Sequence, residues 1–237
     1  MDKIPPSPSD DARKTRADGA QSRERLLLAA MRLFAEQGFA RTSTREIALA
    51  AGTNIAAISY YFGDKAGLYR AAFTEPAPHP KDDVASFIAP DLSLRESLFR
   101  FYTMLLGPLK QGDLARLCMR LWFREMLEPT GVWHNEIDNG IRPCHAGLVL
   151  VISRHLGVRE PGDDMKRLAF SVVGLALQLM VTRDVIDKIA PQLLDSDAAI
   201  DAWLARLVDF AEAIVNAEQV RLAGAPKKKT PTRKKTA

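Results

Sequence analysis

The residues with chemistry to offer another molecule fall between Thr44 and Lys65. Just ahead of them, Ser43 and Glu46 stand three apart, the spacing at which a hydroxyl and a carboxylate cap each other's backbone amides at a helix start. Gly52-Thr53-Asn54 follows, a glycine suited to a left-handed turn and then two residues able to cap the next helix. In that next segment Ile58 and Phe62 lie at i and i+4 and share one apolar face. Ile55, Ala56, Ser59 and Tyr60 are then left outward, small residues for close approach and hydroxyls for phosphates or base edges. The segment carries no arginine, which excludes bidentate reading of guanine from it, and Arg45 at the start of the preceding helix is the nearest basic candidate. Lys65 opens a further helix after Asp64, where a phosphate would also meet free amides and the helix dipole. Two short helices about a glycine turn have the plan of a helix-turn-helix unit. Ordinary structural corners share that plan, and spacing alone leaves both readings open.

Other chemistries lack their residues. His134, His145, His155 and Cys144 do not stand at a familiar metal-ligand spacing, and no metal or other cofactor is expected. There is no GxSxG, HExxH or phosphate loop, so an enzyme reading has neither a nucleophile nor a cradle. Phe101, Trp122, Met126 and Phe170 could line an apolar pocket in which His145 and Gln178 orient a small molecule, but at helical spacing such residues also serve as simple core.

The charge pattern has the same focus. Residues 12–73 carry a net charge of +5 and residues 225–237 a net charge of +6, whereas residues 74–224 carry −5. An anionic partner such as DNA would be drawn to the N-terminal third and the tail. A solvated basic surface explains the same numbers, so charge by itself does not decide.

The elements that must position these residues are helical. The composition, 47% hydrophobic and 26% charged, is that of a globular chain, and the two cysteines, Cys118 and Cys144, have no CxxC spacing. The acidic, proline-rich start is unlike a secretory signal, and the longest apolar stretch, Leu168 to Val181, falls short of the ~20 residues a membrane span needs. A reducing cytoplasm and no membrane partner are expected. Apolar residues recur at 3–4 spacing nearly throughout, so the class is all-α. A first helix is expected from near Ser22 to Gln37, then short helices over Ser43–Gly52 and Ile55–Phe62, and a fourth from Lys65. The proline-rich stretch Glu75 to Leu92 reads as a loop and a domain boundary. Beyond it, apolar stripes predict helices about Leu94–Leu105 and Leu114–Trp122, and longer ones over 132–156 (with Pro143 kinking or restarting it), 164–189 and 198–222. The last two have wide apolar surfaces, fitting either a subunit interface or the centre of a monomeric bundle. The expected domains are a disordered extension over 1–20, a DNA-binding domain over 21–75, a ligand-binding and dimerisation domain over 92–222, and a disordered basic tail over 225–237.

From Ser22 to Phe73 the sequence resembles the N-terminal domain of TetR-family transcriptional regulators, through Leu-Phe-Ala-Glu-Gln-Gly-Phe at 33–39, Thr42-Ser43-Thr44-Arg45-Glu46-Ile47-Ala48, Ala51-Gly52, Tyr60-Tyr61-Phe62, Asp64-Lys65 and Leu68-Tyr69. The remainder resembles the CecR-like branch, through the run 56–65 and Arg124-Glu125-Met126-Leu127-Glu128-Pro129-Thr130. The resemblance implies a three-helix DNA-binding domain followed by a larger helical domain. It implies that Thr44, Thr53, Asn54, Ile55, Ala56, Ser59, Tyr60, Tyr61 and Lys65 occupy DNA-contact positions. Two departures stand out: Ser59 replaces the commoner tyrosine, and Ile55 stands where a polar or basic residue is frequent. The function implied is that of a homodimeric repressor, paired through its last two helices, that binds a palindromic operator in double-stranded DNA and is released by a small-molecule effector. A nonspecific or architectural DNA-binding protein is the alternative, motivated by the lysine-rich tail and the arginine-free helix.

Overall fold

The computed structural model describes residues 8–75 and 84–224, so the basic tail, the first seven residues of the N-terminal extension and part of the proline-rich connection lie outside the described residues. Among the described residues every regular element is helical. They form two compact units, one of residues up to Glu75 together with 106–144, the other of residues 84–105 together with 145–224.

The first unit is built on α1 (Pro8–Gln37), which begins well before the start expected near Ser22 and takes up residues 8–20 of the expected extension. Leu26, Ala30, Met31, Phe34 and Ala35 form its buried stripe. Against this stripe lie α2 (Thr44–Ala50), α3 (Ala56–Phe62) and α4 (Lys65–Thr74), contributing Ile47, Ala48, Ile58, Leu68, Tyr69, Ala72 and Phe73. Helix α7 (Asp113–Leu127) joins the same core through Cys118 and Leu121, and Trp122 stacks on Phe73 with 5.6 Å between ring centroids.

Two residues of α7 tie it to α1 and α4. Arg124 donates to the carbonyls of Ala35 and Glu36 at the C-terminal end of α1. Glu125 is fully buried and accepts from the Tyr69 hydroxyl of α4 at 2.7 Å and from the Thr130 amide at 2.8 Å and hydroxyl at 3.1 Å. Every partner of that carboxylate is a donor, the condition under which a buried acid is tolerated.

The second unit contains α5 (Val84–Ile88), α6 (Leu94–Leu106) up to residue 105, α9 (Arg142–Leu156) from His145, α10 (Asp163–Val181), α11 (Arg183–Ile189) and α12 (Asp197–Gly224). Helix α5 corrects the expected loop over 75–92: Phe87 is fully buried, edge-on to Phe101, and Val84, Phe87 and Ile88 pack within van der Waals reach of the site where a side chain on Gly147 would stand. A larger residue at 147 would press on the side chains of that one-turn helix. Tyr102, fully buried, donates to the Val172 carbonyl at 2.8 Å and fastens α6 to α10. The expected helix over 132–156 is divided into α8 (Trp133–Glu136), a wide turn at Ile137–Ile141, and α9. Pro143 sits in the first turn of α9, where its missing N–H costs no hydrogen bond. The expected helix over 164–189 bends by 65° between α10 and α11, where the Thr182 hydroxyl donates to the Gln178 carbonyl. No single described helix is long and apolar enough to cross a membrane.

Candidate nucleic-acid interface

The local chemistry of 43–65 assembles as its spacing predicts. Ser43 Oγ accepts from the Glu46 amide at 3.1 Å while Glu46 Oε2 accepts from the Ser43 amide at 2.8 Å, which starts α2 and holds the Glu46 carboxyl below the usual range. Gly52, at φ 61°, turns the chain, and Asn54 Oδ1 accepts the Ala56 amide at 2.9 Å to open α3. Asp64 Oδ1 accepts the Gly67 amide at 2.6 Å and starts α4. Ile58 is buried, so α3 turns Ile55, Ala56, Ser59 and Tyr60 to the outside. Tyr60 is 82% exposed and Ile55 48%.

Thr44, Ile55, Ala56, Ser59 and Lys65 line one open cleft between α2, α3 and the start of α4. Lys65 reaches it with its ammonium 4.4 Å from the centre of the Phe39 ring, a cation–π contact that orients the charge. Arg45 is exposed on α2 outside the cleft. Tyr61 is half-buried, edge-on to Tyr60 at 4.8 Å, with its hydroxyl next to Gly19 of α1. Thr53 is half-buried in the turn, and its hydroxyl oxygen is buried without a hydrogen-bond partner among the described residues.

The tertiary structure adds residues that spacing could not reveal. Arg25 of α1 places a guanidinium nitrogen 4.0 Å from where a side chain on Gly52 would begin, donates to Ser22 Oγ, and makes no ion pair among the described residues. Its neighbour Arg23 is engaged in two hydrogen bonds to Glu75 and lies over the Phe62 ring. Leu49, on the outer side of α2, is 81% exposed. Only charge near the turn, visible as a basic excess over 12–73, hinted at Arg25.

The six residues read as a small-molecule site fall in both units. Trp122 and Met126 lie on α7 in the first unit, Trp122 against Phe73 and Met126 facing outward. In the second unit Phe101 is core, packed on Phe87 and Tyr102. His145 and Phe170 do meet, with ring centroids 4.1 Å apart, while Gln178 and the larger part of Phe170 face outward on α10. Among the described residues no group of three or more His, Cys, Asp or Glu side chains could hold a metal ion.

Comparison with known proteins agrees with this geometry. Residues 26–72 match the family model of bacterial regulatory proteins of the tetR family, and residues 94–217 match the C-terminal domain of the HTH-type transcriptional dual regulator CecR. CecR of Shigella flexneri is 32% identical over 179 residues, covering 71% of this chain and 79% of the relative. Two solved structures share the fold: NalD, described as the secondary repressor of the MexAB-OprM multidrug efflux pump in Pseudomonas aeruginosa (21% identity, TM-score 0.56, 80% of this chain and 96% of that one), and a putative transcriptional regulator from Saccharomonospora viridis in complex with choline (21%, 0.56, 81% and 96%). A helix-turn-helix with an outward second helix, matched along with the C-terminal body to these models and to a relative over most of its length, identifies the chain as a DNA-binding transcriptional regulator of the TetR family, in its CecR-like branch.

Proposed function

We propose that the chain acts as a homodimeric repressor that binds a palindromic operator and leaves it when a small molecule binds the helical body. The observation that carries this reading is the outward face of α3, which sets Ile55, Ala56 and Ser59 in one cleft with Thr44 and Lys65 and leaves Tyr60 exposed, groups suited to base edges and phosphates. Thr53, Asn54, Tyr61 and Arg45 flank that surface, and Arg25 supplies a further cation to the phosphates next to the turn.

Dimerisation is supported by the second unit. Helix α10 exposes Phe170, Gly174, Gln178 and Val181, and α12 exposes Phe210, Ala213, Ala217 and Val220, each set along one side of its helix. The small residues admit a close second helix, and a two-fold pairing of such faces is self-complementary. Two recognition helices related by that axis would address successive major grooves. For effector release, the choline complex of the Saccharomonospora viridis regulator and the repressor role of NalD support a small-molecule-responsive repressor. The Tyr69–Glu125 bond and the Phe73–Trp122 stack join α4 to α7 and are contacts through which a shift of α7 would reach α4.

Selection of duplexes from a random library by the full chain, followed by competition against unselected duplex at fixed salt, tests the proposal. A palindromic site preferred by ~10³-fold or more is expected. Equal binding to all duplexes would establish the architectural alternative.

A further inference from the structure

The outward surface of α3 offers base edges few hydrogen-bonding groups, the hydroxyls of Ser59 and Tyr60. Just ahead of the helix, Asn54 has its carboxamide oxygen occupied by the Ala56 amide at 2.9 Å. A bidentate pair with adenine uses both the oxygen and the nitrogen of that amide, so Asn54 would have to share an oxygen already engaged at the start of α3. Lys65 is drawn over the Phe39 ring at the start of α4, and Arg45 and Arg25 stand on α2 and α1. Ser59 offers one hydroxyl, which accepts or donates to either member of a base pair and discriminates weakly. What α3 does present is apolar: Ile55 at 48% exposure, Ala56, and the Tyr60 ring at 82%, held edge-on against Tyr61. An apolar group in the major groove has one distinctive partner, the 5-methyl group of thymine.

We infer that this regulator selects its DNA site chiefly through thymine 5-methyl groups, with Ile55 and Tyr60 as the readers. The inference rests on the reading of sequence-specific contact through α3 and adds the chemistry of that contact. Phosphate contacts from Lys65, Arg25 and the hydroxyls set position and affinity, and the methyl contacts set preference. The operator then carries A·T or T·A pairs with defined thymine orientation beneath α3, and no guanine that α3 itself requires.

The test uses the duplex that the full chain enriches from a random library. The same duplex is synthesised with deoxyuridine in place of each thymidine in turn, which deletes one methyl group and leaves the hydrogen-bonding edge intact. Affinity is measured by competition at one salt concentration, with a scrambled duplex substituted likewise as reference. Affinity is expected to fall about fourfold at each contacted position, from the loss of one buried methyl group, and about fifteenfold where two are removed. Ile55→Ala should abolish the deoxyuridine effect at one position and Tyr60→Ala at another, while binding to the scrambled duplex is unaffected by deoxyuridine. An enriched duplex bound equally with and without the methyl groups, or an indispensable guanine beneath α3, overturns the inference and leaves sequence-specific binding standing. Enrichment of no sequence at all overturns the underlying reading instead.

Discussion

Replacing Glu125 by alanine should remove the hydrogen bond between α7 and α4, and the structure sets the size of the effect. The carboxylate is fully buried and accepts three hydrogen bonds, one from Tyr69 in α4 and two from Thr130. Thr130 is exposed, so water replaces the missing acceptor there at a cost of about 0.5–1 kcal/mol. Tyr69 is only 2% exposed, and its stranded hydroxyl costs about 1.5–3 kcal/mol, as a bond to a charged group does. Part of this is returned because a buried charge no longer has to be desolvated. We expect Glu125→Ala to destabilise by about 2 kcal/mol net, and Tyr69→Phe by a similar amount because it leaves Glu125 Oε2 without its donor. The double variant should lose less than the sum, with a coupling of about 1.5 kcal/mol or more between residues 56 apart in sequence. Urea unfolding of the four proteins, followed by circular dichroism, measures the cycle. Additivity within about 0.5 kcal/mol would refute the coupling and remove α7–α4 communication through this bond.

Arg25→Ala should leave the melting temperature within the small range of surface substitutions, and it should lower the salt dependence of binding to random duplex by about 0.9 for each phosphate the guanidinium had neutralised; an unchanged slope beside a reduced slope for Lys65→Ala would remove Arg25 from the interface. Gly67→Ala would stabilise by about 1 kcal/mol on helix propensity alone, yet its new methyl would stand 1.9 Å from the Phe62 carbonyl oxygen, so a loss of about 1–3 kcal/mol is expected in thermal melts and a rise in melting temperature would contradict the packing. Phe210→Glu, on the outward side of α12, should turn a dimer into a monomer in sedimentation while the helical signal is kept; a persisting dimer would place the interface elsewhere. Burial pushes the Tyr69 and Tyr102 hydroxyls above the ordinary tyrosine range, so the folded state holds their protons more tightly than the unfolded one. That contribution is intact below pH ~10 and is lost as pH rises beyond it, so the urea midpoint should decline there, and less steeply in Tyr102→Phe.

The helix-turn-helix was legible because its determinants are local. Ser43 with Glu46, Asn54 with Ala56 and Asp64 with Gly67 are partners two or three residues apart, and such caps depend only on residues adjacent in the chain. The all-α class and the outward direction of Ile55, Ser59 and Tyr60 followed from the 3.6-residue period with equal directness. Spacing could not show which of two nearby arginines is free: Glu75, 52 residues away, claims Arg23 and leaves Arg25 by the turn. Nor could it show that Glu125, a polar residue in an apolar stripe, meets Tyr69 across the core, or that Phe87 of α5 packs close beside Gly147. The continuous apolar pattern over 164–189 likewise concealed the bend at Thr182. Periodicity records which face of a helix is buried and carries no information about what buries it. Pairings between distant side chains, and the bends and close approaches they permit, are properties of the packed chain, and the tertiary structure alone decided them.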